Sequence, residues 1–165
     1  MWCISTIDAL FRACMYDVLD LYEEPYDPKR PIVNLDEKPK QLLGEKRSSI
    51  PMKPGSPERY DYEYVRNGTA NIFMAVEFKA GTLVTRVTER STMKDFALFV
   101  KMLVDEEYSD DVKVIRLVTD NLNTHKDTAF YETFGKDEAE RILSKIEFHY
   151  TPKHASWLNA AEIEI

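Results

Sequence analysis

The chain has 165 residues, 44% of them hydrophobic and 31% charged, with a net charge of −7. That balance suits one packed domain and excludes a chain disordered throughout. No apolar run approaches the roughly 18 residues of a membrane span, and no basic segment followed by an apolar stretch marks a signal peptide. The acidity argues against a simple electrostatic binder of nucleic acid, whose footprint is usually basic. It does not exclude a metal-dependent nuclease, whose ligands are themselves acidic. Cys3 and Cys14 read as reduced thiols in a cytoplasmic protein.

In chain order, Leu10, Phe11, Cys14, Met15, Val18, Leu21 and Tyr22 recur at helical spacing. They predict an amphipathic helix from about residue 6 to residue 22, broken by Pro25 and Pro28. A short buried strand follows over 31–36 and ends at Asp36. Residues 37–59, rich in Pro, Lys, Ser and Gly, read as a long exposed excursion in contact with DNA or a partner. Tyr60 to Val65 alternates aromatic and acidic residues and predicts a strand. Asn67-Gly68 predicts a hairpin turn. Residues 69–78 and 82–88 then form two more strands about a turn at Lys79-Ala80-Gly81.

Ser91 or Thr92 caps the next helix, with Asp95 in its first turn and Phe96, Phe99, Val100, Leu103 and Val104 as its stripe. Residues 112–119 are almost continuously apolar, as in a central strand buried on both faces, and end at Asp120. Two short helices are predicted over 127–134 and 137–144, broken at Gly135. A strand follows over 146–150, and a last helix begins near Ser156. Trp157, Leu158, Ala161 and Ile165 make its buried stripe. This order predicts an α/β fold with a mixed sheet flanked by helices.

The chemistry-bearing residues are acidic. Asp36 and Asp120 each close an apolar strand, where ligands of α/β sheets collect. An aspartate at a strand end also serves as turn or cap chemistry. On the last helix Glu162 and Glu164 flank the apolar stripe equally, so periodicity leaves the choice between them open. Converging carboxylates suit Mg²⁺, and paired metals drive phosphodiester chemistry. His125, His149 and His154 match no zinc spacing. His125 and His154 lie in predicted loops beside the acids, and Lys38 and Lys153 flank the same place, where lysines contact phosphates.

Three segments together resemble the catalytic domain of DDE transposases, of the bacterial insertion-sequence branch related to mariner elements. They are Leu35-Asp36-Glu37-Lys38-Pro39, Val118-Thr119-Asp120-Asn121-Leu122-Asn123-Thr124-His125, and the stretch from His149 to Glu162. Asp61 to Thr69 resembles a further stretch of that branch. The resemblance implies an RNase H-like sheet, with the first three strands antiparallel and the rest parallel. It implies a catalytic domain over 31–165, truncated at its C-terminal end, preceded by a helix and linker over 1–30. It selects Glu162, within Leu158-Asn159-Ala160-Ala161-Glu162, as third acid beside Asp36 and Asp120. These three would hold two Mg²⁺ or Mn²⁺ ions. It also implies DNA contacts from Lys38, Asn121, Asn123, His125, Lys153 and His154. The implied activity is cleavage and strand transfer at insertion-sequence ends, by a homodimer acting on terminal repeats and a TA target in the nucleoid. The alternative is an inactive remnant that keeps the fold and associates with intact transposase.

Overall fold

The computed structural model describes residues 7–108, 111–120 and 125–165. Five strands form one sheet: β1 (Ile32–Glu45), β2 (Tyr64–Glu77), β3 (Thr82–Thr88), β4 (Ile115–Thr119) and β5 (Ile146–Tyr150), in the order β3-β2-β1-β4-β5. β1, β2 and β3 are antiparallel, whereas β4 and β5 run parallel to β1, as the family resemblance implies. The β2–β3 turn closes on Gly81 at φ 72°, with the N–H groups of Ala80 and Gly81 donating to the Glu77 carbonyl. Every residue of β4 is buried, which is the condition of a strand covered by helices on both faces. Arg116 is its second residue. Its guanidinium donates to the Arg30 carbonyl at 3.0 and 2.6 Å and pairs with Glu24, so the buried charge is satisfied.

Helices cover both faces. On one, α1 (Ala9–Glu23) sets Val18 and Leu21 against Ile32, Val118 and Leu158. On the other, α2 (Met93–Met102), α3 (Thr128–Phe134) and α4 (Lys136–Leu143) cover Val33, Leu35, Phe73 and Leu117 with Phe96, Phe99, Phe130 and Ile142. Strand alternation therefore divides β1: Ile32 and Asn34 look toward α1, and Val33 and Leu35 toward α2. The predicted cap of α2 forms as a reciprocal pair between Thr92 and Asp95. Among the described residues no helix is long and apolar enough to cross a membrane.

Gly135 ends α3 and starts α4 at φ 79°, ψ 178°, a region open in practice only to glycine. A Cβ there would meet nothing within 4 Å, so the strain of substitution is purely backbone. Gly135→Ala is expected to lower unfolding free energy by about 1–3 kcal/mol in urea titration.

Three expectations need correction. β1 does not stop at Asp36 but runs on to Glu45, paired with β2. Residues 37–45 are therefore strand, and only 46–63 are irregular, carrying the bridges Ile50–Arg59 and Lys53–Ser56. β3 pairs with β2 only as far as Asn71, so 40–45 and 64–70 form a two-stranded ribbon beyond the sheet. Arg47 pairs with Asp61 at 2.9 Å just past its far end. Second, Asn67-Gly68 is no hairpin turn. The two residues sit inside β2 opposite the single residue Leu42, and Gly68 at φ 111° absorbs the extra residue as a β-bulge. The strand expected from Tyr60 starts at Tyr64 accordingly. Third, the last helix does not begin at Ser156. A 3₁₀ turn, Ser156–Leu158, precedes α5 (Ala161–Glu164), and Trp157 is 63% exposed rather than in the apolar stripe.

Candidate active site

The parallel register of β1 and β4 pairs Asn34 with Val118. Two residues beyond that pair stand Asp36, inside β1, and Asp120, one residue past the end of β4. The first and second acids thus stand equally far past one parallel pair. The opening forms because β4 ends at Thr119 while β1 continues, so Asp36 lies within its strand rather than at its end. Asp36 is half-buried, and its Oδ1 accepts from the Glu37 N–H at 2.8 Å. Burial pushes its carboxyl up to about 6. The Glu37 N–H opposes this, and the negative charges of Asp120, Glu37 and Glu162 add to the rise.

Glu37 points to the opposite face and meets His125, which is 1% exposed. The His125 Nε2 donates to Glu37 Oε2 at 2.8 Å, and Nδ1 donates to Asp120 Oδ1 at 2.5 Å. Thr119 Oγ1 lies 3.0 Å from the same Nδ1. The ring lies over Phe96 with centroids 4.5 Å apart, and Ser91 Oγ donates to the free side of Glu37 at 2.9 Å. A ring that donates from both nitrogens is an imidazolium. Burial by itself would lower its pKa, but the hydrogen bonds and charges of Asp120 and Glu37 together raise it to about 9. The Glu37–His125–Asp120 chain therefore ties β1 to the end of β4.

The third acid comes from α5. Glu162 is exposed, and its Oε1 accepts from Ser156 Oγ at 3.1 Å. α5 is seated by Ala161, fully buried beside Met74 and Val76 of β2. Each acid thus has a protein partner of its own: the Glu37 N–H, His125 and Ser156. Among the described residues, no three His, Cys, Asp or Glu side chains gather in a metal-holding cluster. The donor chemistry, carboxylate oxygen throughout with the charges of Asp120, Glu37 and Glu162 acting on Asp36, does fit a hard divalent cation.

The family model of the DDE superfamily endonuclease matches residues 31–165. The chain belongs to the DDE endonuclease superfamily. The DDE chain also superposes on the crystal structure of the Mos1 mariner paired end complex with Mn, at TM-score 0.52 and 12% identity. The match covers 99% of this chain and 50% of that one, so the DDE chain spans half the length of the structure it resembles. At that identity the likeness concerns the fold, the RNase H-like mixed sheet with flanking helices. No curated protein sequence matches it.

The remaining expected residues of the DDE domain are dispersed. Lys38 follows Asp36 on the same face of β1, and its Nζ donates to the Ile165 carbonyl at 2.6 Å. Lys153 and His154 are exposed on the turn between β5 and α5, with His154 at φ 65°. His125, in contrast, is buried with both nitrogens engaged by carboxylates, which leaves it no nitrogen to offer DNA in this arrangement. Asn121 and Asn123 lie outside the described residues. Sequence reasoning missed the Glu37–His125 contact at the site. Only the strand period, carried through Asp36, had the power to place Glu37 on the face opposite to it.

Proposed function

We propose that this domain cuts DNA phosphodiesters and transfers the freed strand at the ends of a mobile element, with Asp36, Asp120 and Glu162 as metal ligands. The observation that carries the reading is Asp36 and Asp120 each two residues beyond the parallel pair Asn34–Val118, with Asp36 held up to about 6 by burial and by the charges of Asp120, Glu37 and Glu162. Two Mg²⁺ or Mn²⁺ ions, when bound, would supply an activated water and stabilise the leaving 3′-oxygen. The chain's own residues do the positioning. Asp36 is ionised above about pH 6 and so ready to ligate at neutral pH. His125 holds Asp120 by one oxygen, Oδ1, and so fixes the carboxylate. Lys38, next to Asp36 on the same face of β1, and the exposed Lys153 and His154 are assigned phosphate contacts, with Asn121 and Asn123 given the same role from the family motif. The mariner-like wording of the motifs supports the finer reading proposed here: terminal repeats and a TA target, engaged by a homodimer in the cytoplasm.

A second reading, an inactive relative that associates with intact transposase, is favoured by one feature: Glu162 is exposed and turned to Ser156. Supercoiled plasmid carrying the DNA that flanks this gene, incubated with the protein and Mn²⁺, separates the two. Nicking by the wild type and its loss in Asp120→Ala is the expected result. Equal nicking by Asp120→Ala would overturn the assignment of that residue. No nicking by the wild type, together with co-purification with a longer transposase, would establish the second reading.

A further inference from the structure

We propose that Asn159 is a positioning residue that sets the placement of Glu162 relative to Asp36, by bridging the residues that immediately precede the two acids. This rests on the metal-ligand reading above. Asn159 is 1% exposed. Its Nδ2 donates to the Leu35 carbonyl at 2.7 Å, and its Oδ1 accepts from the Ala161 N–H at 3.1 Å. Its own carbonyl accepts from the Glu162 N–H at 3.0 Å. One planar amide therefore spans from the residue before Asp36 to the residue before Glu162, and the same residue's backbone holds Glu162 itself.

The orientation of that amide is dictated by its partners. A flipped Asn159 would set a donor against the Ala161 N–H and an acceptor against the Leu35 carbonyl, losing both bonds in a buried place. A second contact secures the neighbouring peptides. The Tyr22 hydroxyl lies between Asn34 Oδ1 and the Leu158 carbonyl, 2.9 Å from the latter, and the Ala160 N–H donates to Asn34 Oδ1 at 3.3 Å. Tyr22 holds the loop to β1 without touching the amide bridge. α5 has only four residues and carries Glu162 on its exposed side, so its own backbone bonds give the acid little direction. The arrangement mirrors the other flank of Asp36, where Glu37 and His125 hold Asp120.

Mn²⁺ binding, followed by calorimetry and by the EPR signal of free Mn²⁺, tests this without reference to turnover. Asn159→Asp, nearly isosteric, and Asn159→Ser are expected to weaken Mn²⁺ binding about 10- to 100-fold, the range typical of a lost supporting contact. Tyr22→Phe is expected to lower the melting temperature and leave Mn²⁺ affinity within about twofold, because the bridge persists. In a Glu162→Gln background the Asn159 substitutions are expected to have no further effect on Mn²⁺ affinity, since Asn159 acts through Glu162. Unchanged Mn²⁺ affinity in folded Asn159 variants, additive effects in the Glu162→Gln background, or failure of both variants to fold would each overturn the bridge. Absence of Mn²⁺ binding by the wild type, or equal binding by Asp120→Ala, would instead overturn the metal-ligand reading itself, and the bridge with it.

Discussion

Asp36→Asn is expected to raise the melting temperature of the domain in EDTA at pH 7 while abolishing Mn²⁺-dependent nicking. The folded protein holds the Asp36 carboxyl at about 6, above the value near 4 of an unfolded aspartate. A raised carboxyl pKa means that the fold prefers the neutral acid. The stability this contributes is fully present below about pH 4 and is lost as pH rises through 6. Asparagine is neutral throughout, so its advantage emerges between pH 4 and 6 and is complete above that. Each pKa unit corresponds to about 1.4 kcal/mol. Discounted for the solvent that reaches a half-buried group, the gain is about 1–2 kcal/mol, or roughly 2–8 °C for a domain of this size. The same substitution replaces an anionic ligand by a neutral amide, and nicking is expected to fall about a thousandfold or more, about 4 kcal/mol of transition-state stabilisation. Thermal melts in EDTA at pH 4 and pH 7, beside plasmid nicking, check both halves. A lower melting temperature at pH 7 would contradict the electrostatic account of the site.

His125→Ala is expected to act in the opposite sense on stability, and more strongly. Its side chain is enclosed by Glu37, 14% exposed, and Asp120, 29% exposed, and by the Phe96 ring. Removing it leaves two partly buried carboxylates facing a cavity, at about 3–5 kcal/mol. The pH dependence has its own signature. The folded pKa of His125, about 9, exceeds the unfolded value near 6.5. Its ion-pair stabilisation is therefore whole below pH 6.5 and disappears as pH climbs through 9. Urea titrations at pH 6, 7.5 and 9.5 are expected to show wild-type stability declining over that interval and the variant lacking the decline. Parallel curves for the two proteins would mean that the imidazole is not charged in the fold.

Much of this architecture can be read in the chain because local and tertiary demands coincide. The run before Asp120 is apolar since β4 is buried on both faces, and Thr92 with Asp95 caps α2 whatever the helix packs against. The continuation of β1 could not be read. Lys38-Pro39-Lys40 lies on a strand whose outer half has no buried face, so its composition follows solvent rather than pairing. Only cross-strand hydrogen bonds to residues some thirty positions away define it. Gly68 misled for a related reason: a positive φ serves a bulge as well as a turn. At the site, Asp36 and Asp120 were visible as interruptions of apolar runs. The contacts of Glu37 and Asn159 were not, because a buried polar side chain takes its meaning from its partner. Those partners, His125 and Leu35, are 88 and 124 residues away.

Because Asp36 sits within an uninterrupted strand, this gene has little freedom to change length there. A single inserted codon just upstream would exchange the faces of Leu35 and Asp36, turning the carboxylate into the phenylalanine layer and the leucine into the opening. Between 46 and 63 the backbone is bound by little more than two isolated bridges, and additions or deletions there leave the register of Asp36 untouched. Divergence among descendants of this sequence should therefore accumulate as indels at the far tip and as substitutions alone along the stem.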